Sequence, residues 1–229
     1  MSRHFGRFWL LATIWLFSVV APHAHAQDSA AYDLVNATTS DVMAVVVAAE
    51  PYVDEDPERY YAQIQVLLDP LVDFRGFARK VMGPYASSER YRSLDEAGRS
   101  QLRDQLDSFT EAMRTSLVRT YSKGLLAFGG SDIELEQPDE DTADSKRVSL
   151  RQLVYADRAT PYEIQYQMGQ MKSGDWKLIN VIIESVNLGE VYRDQFLASA
   201  REHEGDLSKV IDSWVVVVVD VDAETEPEE

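Results

Sequence analysis

The chain has 229 residues, with 22 basic and 39 acidic side chains, a net charge of −17 and no cysteine. A protein this acidic is a poor binder of phosphate backbones, so no nucleic acid partner is expected. Anionic lipid surfaces also repel it, which favours approach to a membrane through a docking protein. Without cysteine it forms no disulfide, and its stability must come from packing.

The first 26 residues have the pattern of a secretory signal peptide. Arg3 and Arg7 are followed by an uncharged run over residues 8–21, and Ala24-His25-Ala26 supplies small residues before a cleavage site. We therefore predict cleavage between Ala26 and Gln27 and a mature protein in the periplasm. The run is too short for a stable membrane span, and an uncleaved anchor is the alternative.

Helical signals dominate the first half of the mature chain. Residues 29–49 have apolar side chains at helical spacing, and the acidic stretch 54–58 opens a second helix. Asp73 is a predicted cap for a short helix that ends at Gly83-Pro84. The stretch Ser93-Leu94-Asp95-Glu96 matches a capping box and predicts the start of a longer helix.

That longer helix carries the strongest amphipathic pattern in the chain, because its apolar residues recur every three or four positions. Gly129-Gly130 is predicted to end it. The apolar positions are Leu102, Leu106, Phe109, Met113, Leu117, Tyr121, Leu125 and Phe128.

The pattern then changes to alternation, which predicts strands joined by short turns and hence an antiparallel sheet. The last of these strands is apolar on both faces, as expected for a strand that is covered on both sides. Two helices follow. The predicted strands are 132–136, 147–155, 162–168 and 176–186, and the predicted helices are 188–204 and 206–214.

We divide the chain into a signal peptide (1–26), one domain (27–214) and a C-terminal segment (215–229). Val215–Val219 is a run of five valines that we interpret as an extension of the last element. Residues 220–229 contain six acids and no base, which predicts a solvated, disordered tail.

The inventory of reactive groups is poor, so the sequence favours a binding protein over an enzyme. After cleavage the only histidine is His203, which makes a zinc site or a Ser-His-Asp triad a weak hypothesis. No phosphate-binding glycine motif is present. We predict no catalytic residue, no metal and no cofactor, although paired-carboxylate catalysis stays open because acids are abundant.

Large apolar groups concentrate on the long helix and on the predicted sheet. This pattern fits a packed core or an adaptable apolar ligand site, and periodicity alone does not decide between them. The residues are Phe109, Met113, Leu117, Tyr121, Ile164, Tyr166, Met168, Val181 and Ile183.

Three segments together resemble the MlaC family of periplasmic lipid-binding proteins, also called toluene-tolerance auxiliary transport proteins. They are residues 72–83 (VDFRGFARKVMG), 117–126 (LVRTYSKGLL) and 175–188 (DWKLINVIIESVNL), the last followed by Tyr192-Arg193-Asp194-Gln195-Phe196. Where the family usually has Asp, Gly and Ser in the third segment, this chain has Asn180, Ser185 and Asn187.

The resemblance implies an α+β fold in which helices pack on a small, about four-stranded antiparallel sheet and enclose an apolar cavity. It also implies a soluble carrier that holds phospholipid as cargo. Its partners would be an outer-membrane lipoprotein–porin complex and an inner-membrane ABC transporter with an MCE domain. The lipid-binding residues would be Val81, Met82, Phe109, Met113, Leu117, Tyr121, Val148, Leu150, Ile164, Tyr166, Met168, Val181 and Ile183.

Three alternatives stay open at this point. The protein could be a periplasmic adaptor without a ligand, or a binder of sterol-like or hydrocarbon ligands. It could also be a lipid-modifying hydrolase that uses acidic residues. Lipid extraction and mass spectrometry separate the carrier, adaptor and hydrolase hypotheses.

Overall fold

A computed structural model of the protein describes residues 24–137, 146–156 and 158–217, with side chains from residue 30 onward. Most of the predicted signal peptide and the acidic tail therefore lie outside the described residues. The first helix begins at Ala24 and runs through the predicted cleavage site.

Seven α-helices and five strands make up the described residues. The helices are α1 (Ala24–Ala49), α2 (Pro57–Leu68), α3 (Phe74–Met82), α4 (Ser88–Ser93), α5 (Glu96–Leu126), α6 (Leu188–Glu202) and α7 (Leu207–Asp212). A 3₁₀ turn over Gly83–Ala86 joins α3 to α4. The strands are β1 (Asp132–Leu135), β2 (Arg147–Tyr155), β3 (Tyr162–Gln170), β4 (Trp176–Ile183) and β5 (Val186–Asn187).

The strands form one antiparallel sheet in the order β1-β2-β3-β4-β5. The predicted α+β class is confirmed, with five strands where about four were expected. The prediction of a single strand over residues 176–186 is wrong, because Glu184 and Ser185 both have positive φ and turn the chain into β5. Ser185 stands where the family usually has glycine, the residue that adopts this conformation most readily.

A bulge in β4 decides which of its residues face the helices. Gln167 pairs with Asn180 and Met168 with Leu178, so Ile179 is an extra residue in the ladder. The bulge places Leu178 and Val181 on the same side of the sheet, and that side is called the inner face here.

All the described residues of the sheet that join the hydrophobic clusters lie on this inner face. The expectation that β4 is covered on both sides is therefore wrong. Ile179 and Ile182 point to the other face, stay partly exposed and belong to none of the clusters. The inner-face members are Leu135, Val148, Leu150, Tyr166, Met168, Trp176, Leu178, Val181 and Ile183.

Side-chain caps fix where the helices begin. The Asp73 carboxylate accepts a hydrogen bond from Gly76 N–H at 2.9 Å and starts α3, as predicted. The predicted capping box is wrong, because Asp95 caps α5 by accepting from Gly98 N–H at 2.8 Å. Ser93 is instead the last residue of α4, and its hydroxyl donates to the Arg90 carbonyl.

The start of α3 is also tied to the sheet. Leu178 N–H donates to the Leu71 carbonyl at 2.9 Å, and Asp73 N–H donates to the Leu178 carbonyl at 3.0 Å. These bonds occupy an edge of β4 that β5 leaves unpaired, since β5 pairs only with Ile182 and Ile183. They hold α3 beside the sheet, where its buried face packs against α5 and α6.

Three buried clusters form the core, and α5 contributes to two of them. One joins α3, α5, α6 and α7, the second joins α1 to the inner face of the sheet, and the third joins α1, α2 and α5. In the first cluster the Phe109 ring lies 4.9 Å, between centroids, from both Phe196 and Trp214. Phe109 and Phe196 are completely buried, so these edge-on ring contacts lie in the interior of the cluster.

The start of the valine run does not continue a helix, because α7 ends at Asp212. Val216 is buried and its N–H donates to the Ser116 hydroxyl at 3.1 Å, whereas Val215 and Val217 are exposed. The interpretation of this run as an extension of the last element is therefore wrong over residues 215–217. Val218 and Val219 lie outside the described residues.

Candidate ligand-binding site

The candidate site lies between the inner face of β3 and β4 and the helices α5 and α6. Cross-strand pairing places Ile164 beside Ile183 and Tyr166 beside Val181. On the helical side, Leu117 and Tyr121 of α5 pack against the same cluster as Val181 and Ile183. The sequence-predicted residues of helix and sheet therefore do come together.

Seven of the thirteen predicted lipid-binding residues are fully enclosed by protein. They belong to the two clusters that α3, α5 and the sheet help to form, and their side chains pack against protein. These residues are Val81, Met82, Phe109, Met113, Val148, Leu150 and Met168.

The other six keep accessible surface although they lie on the inward faces of their elements. Five of them pack against the buried clusters, and Val181 contacts both the helical cluster and the sheet cluster. An apolar side chain that is directed inward and still accessible indicates incompletely filled space beside it. The six are Leu117, Tyr121, Ile164, Tyr166, Val181 and Ile183.

Tyr166 and Gln152 form a polar point on this otherwise apolar wall. Burial raises the pKa of the Tyr166 hydroxyl, and a hydrogen bond with the Gln152 side chain partly offsets that rise. Gln152 is itself buried, and its carbonyl oxygen accepts from the Thr39 hydroxyl at 3.2 Å. The hydroxyl of Tyr166 is thus removed from water, whereas other atoms of the same residue are still partly accessible.

A second polar point joins α5 to α6, where the Tyr121 and Tyr192 hydroxyls are hydrogen-bonded to each other. Burial is the main cause that raises the pKa of both phenols, so both stay protonated at neutral pH. Two hydroxyls carry two protons and this contact uses one of them. The pair can therefore offer the other proton to a ligand carbonyl oxygen.

Sequence reasoning missed Gln152 and Tyr192 as site residues. Gln152 could have been found, because it interrupts the apolar phase of Val148, Leu150 and Val154 on β2. Tyr192 has the helical spacing of α6, but that spacing does not reveal its hydroxyl contact with Tyr121.

This interior is lined by apolar side chains, with the tyrosine hydroxyls and the Gln152 amide as neutral hydrogen-bond donors. Among the described residues, no group of three or more His, Asp or Glu side chains could hold a metal ion. Within the same residues, no helix is long and apolar enough to cross a membrane.

Fold and site together define a class: an α+β protein whose helices cover one face of a small antiparallel sheet around an apolar, phenol-lined interior. The family described as MlaC protein matches residues 36–215. The chain belongs to that family, and the resemblance seen in its three segments is confirmed.

The chain is also similar to two individual proteins, one by sequence and one by structure. The toluene tolerance protein ttg2D of Pseudomonas putida is 28% identical over 209 residues, which cover 91% of this chain and 87% of that protein. The structure of the phospholipid-binding protein from Ralstonia solanacearum, solved in complex with a phospholipid, is similar with a TM-score of 0.61. At 20% identity, over 80% of this chain and 93% of the other, that likeness shows a shared fold.

Proposed function

We propose that this protein is a periplasmic phospholipid carrier and acts without catalysis. In this proposal the acyl chains lie between the inner face of β3–β4 and the helices α5 and α6. Membership of the MlaC family and the phospholipid in the similar Ralstonia solanacearum structure support the choice of ligand.

The observation that carries the proposal is the uneven burial of the inner face. On β2, Val148, Leu150 and Val154 are almost completely buried. On the neighbouring strands, Ile164 and Ile183 face the same way and remain partly exposed. Acyl chains would cover that remaining apolar surface, which a ligand-free core of this size would otherwise fill with its own side chains.

A carrier is needed because phospholipids do not cross water at a useful rate. Two acyl chains with roughly 30 methylenes would cost about 24 kcal/mol to expose, at ~0.8 kcal/mol for each methylene. This cost exceeds the practical ceiling of non-covalent affinity, near ~20 kcal/mol. The protein must therefore take up the chains while it is joined to another apolar compartment, and then separate from it.

In the proposal, partner proteins provide the apolar compartment from which the carrier takes up lipid. The carrier would exchange lipid with an inner-membrane MCE-domain ABC transporter and with an outer-membrane lipoprotein–porin complex. The strongly acidic composition supports docking through proteins, because anionic bilayer surfaces repel a chain of net charge −17. Exchange itself needs no reactive group in this chain, and an energy-consuming partner would set its direction.

The primary test is the lipid content of the full chain purified from the periplasm, measured by solvent extraction and mass spectrometry. Stoichiometric phospholipid is expected. Protein that is consistently free of lipid would contradict the carrier function and favour the adaptor. Accumulation of lysolipid during incubation would contradict the absence of catalysis.

A matched pair of variants on one strand locates the ligand. Ile183→Glu places a charge on the inner face and should abolish lipid retention, since a buried carboxylate beside acyl chains is strongly unfavourable. Ile182→Glu introduces the same group one residue away on the opposite face and should retain lipid. Equal lipid content in the two folded variants would remove this face from the site.

A further inference from the structure

A concave site lies outside the apolar interior, at the junction of α3, the 3₁₀ turn, α4, β4 and α6. It is a cleft of about 540 Å³. Its charged lining residues are Arg79, Lys80 and Arg193, with Glu190 as the one carboxylate. Three cations around one cleft are unexpected in a chain in which acids outnumber bases by 39 to 22.

These cations are not neutralised by neighbouring acids. In the part of the chain that the structure describes, none of Arg79, Lys80 and Arg193 forms a salt bridge with a carboxylate. Arg79 Nε donates to the Ala86 carbonyl at 3.4 Å, and Lys80 Nζ donates to the Ile179 carbonyl at 3.3 Å. Both contacts are long and leave further N–H donors of each group available.

The electrostatic environment of Lys80 is consistent with a positive cleft. Burial lowers the pKa of its ammonium group, and the nearby Arg147 lowers it further, while Asp73 acts in the opposite direction. An anion in the cleft would relieve this repulsion between cations.

The side chains, and not the helix dipole, would do the binding. The first amides of α6 already have acceptors, since Gly189 N–H donates to the side-chain oxygens of Asn180 and Asn187 at 3.1 Å. Two guanidinium groups and an ammonium group suit a tetrahedral oxyanion, because guanidinium binds two of its oxygens at once. The hydroxyls of Ser87 and Ser88 line the same cleft.

The cleft shares a wall with the apolar interior. Phe77 lines the cleft and also belongs to the helical cluster, where its ring meets the Tyr192 ring edge-on with centroids 6.4 Å apart. A molecule with an apolar part near Tyr192 and an anionic part in the cleft could therefore occupy both places.

We infer that the cleft formed by Arg79, Lys80 and Arg193 binds a phosphate group. The phosphate could belong to the headgroup of a bound phospholipid, a source that rests on the proposed function. It could equally be a free phosphate compound, a source that is independent of that function.

The test uses delipidated full-length protein, the variant with Arg79→Gln, Lys80→Gln and Arg193→Gln, and a matched control. Arg75→Gln is that control, because Arg75 lies on α3 outside the cleft and is paired with Asp107. Circular dichroism and thermal melting establish that each variant is folded. The Lys80 ammonium is partly desolvated, but as whole residues Arg79, Lys80 and Arg193 are exposed, so their replacement should leave the fold intact.

In the first arm, inorganic phosphate is titrated while the amide resonances of Ser87, Ser88 and Gly189 are followed by NMR. Wild type and Arg75→Gln should show saturable shifts that weaken with added salt. The triple variant should bind roughly tenfold more weakly or worse. Unchanged phosphate binding by the triple variant, or absence of binding by wild type, would overturn the free-phosphate source.

In the second arm, lipid uptake is compared for phosphatidylglycerol and for diacylglycerol with the same acyl chains. If the cleft holds the headgroup phosphate, wild type prefers phosphatidylglycerol and the triple variant loses that preference while it still takes up diacylglycerol. Retention of both phosphate binding and lipid preference by the triple variant would overturn the inference. A wild type that binds phosphate but neither lipid would contradict the proposed function and leave the cleft assignment standing.

Discussion

Successive turns of α5 lie in differently packed surroundings. Near the middle of the helix, Phe109 and Met113 are fully buried in the aromatic cluster with Phe196. One turn further on, Leu117 and Tyr121 pack against the same cluster as Val181 and Ile183 of the sheet and remain partly accessible. One continuous helix therefore contributes both to a filled core and, further along the chain, to a less completely filled wall.

The largest expected effect comes from the filled core. Phe109→Ala removes a fully buried ring between Phe196 and Trp214, and should lower the free energy of unfolding by about 3–5 kcal/mol. Urea denaturation of ligand-free protein measures the change. Val66→Ala on the exposed side of α2 serves as control, with an expected change within about 0.5 kcal/mol. Similar losses in the two variants would contradict the assignment of a filled core.

A second pair of truncations compares the two regions directly. Leu150→Ala on β2 removes a buried side chain and should cost about 2–5 kcal/mol of unfolding free energy. Ile183→Ala on β4 should cost less than about 2 kcal/mol in ligand-free protein, because part of that side chain is already exposed. Lipid affinity should show the reverse order. A larger stability loss at Ile183 than at Leu150 would show that the β4 wall is packed as tightly as β2.

Alkaline pH tests the burial of Tyr60 in the cluster that joins α1, α2 and α5. Burial, with smaller contributions from Tyr61 and Tyr52, raises the pKa of Tyr60 to about 12, and its hydroxyl donates to the Ser122 carbonyl at 2.9 Å. The folded state thus favours the protonated phenol. Its contribution to stability is complete below pH ~10, the ordinary tyrosine value, and is lost as pH rises toward about 12.

The measurement is the free energy of unfolding at several pH values in this interval, for wild type and for Tyr60→Phe. Wild type should lose stability more steeply with rising pH than the variant, which has no phenol to ionise at this position. Parallel pH profiles would mean that Tyr60 ionises equally easily in the folded and unfolded chains.

The smallest expected effect concerns the N-terminal cap of α3. Asp73→Ala removes the cap of α3 and should cost about 1 kcal/mol of unfolding free energy. Asp73→Asn keeps an acceptor for Gly76 N–H and should lower the free energy of unfolding by only about 0.3 kcal/mol. Thermal melting of both variants checks the difference, and an equal loss would assign the effect to charge and not to the hydrogen bond.

Local signals predicted much of the fold. The alternation of β2 gives its bounds, 147–155, and Asp73 and Gly83 mark the ends of α3, because these features depend on neighbouring residues alone. The short helix α4 was missed, and the box at Ser93 was misassigned to α5. Six-residue helices have little intrinsic stability and depend on tertiary contacts that spacing does not show.

The site was predictable only in part, for a similar reason. Periodicity identified inward residues such as Val181 and Tyr121, but not which of them stay accessible, because accessibility depends on how all elements pack. The basic cleft was missed because Arg79 and Arg193 are far apart in sequence and are joined only by the packing of α3 on α6.

The bulge in β4 has a consequence for how this chain tolerates changes of length. Side chains alternate along a strand, and Ile179 is the extra residue that interrupts this alternation. Removal of Ile179 would leave Leu178 next to Asn180 in a regular ladder, with Val181 and Ile183 still directed toward the helices. Removal of Val181, beyond the bulge, would instead bring Ile182 to the inner face and turn Ile183 toward solvent. A deletion of three nucleotides at the bulge thus preserves the apolar lining, whereas the same deletion two codons later changes it.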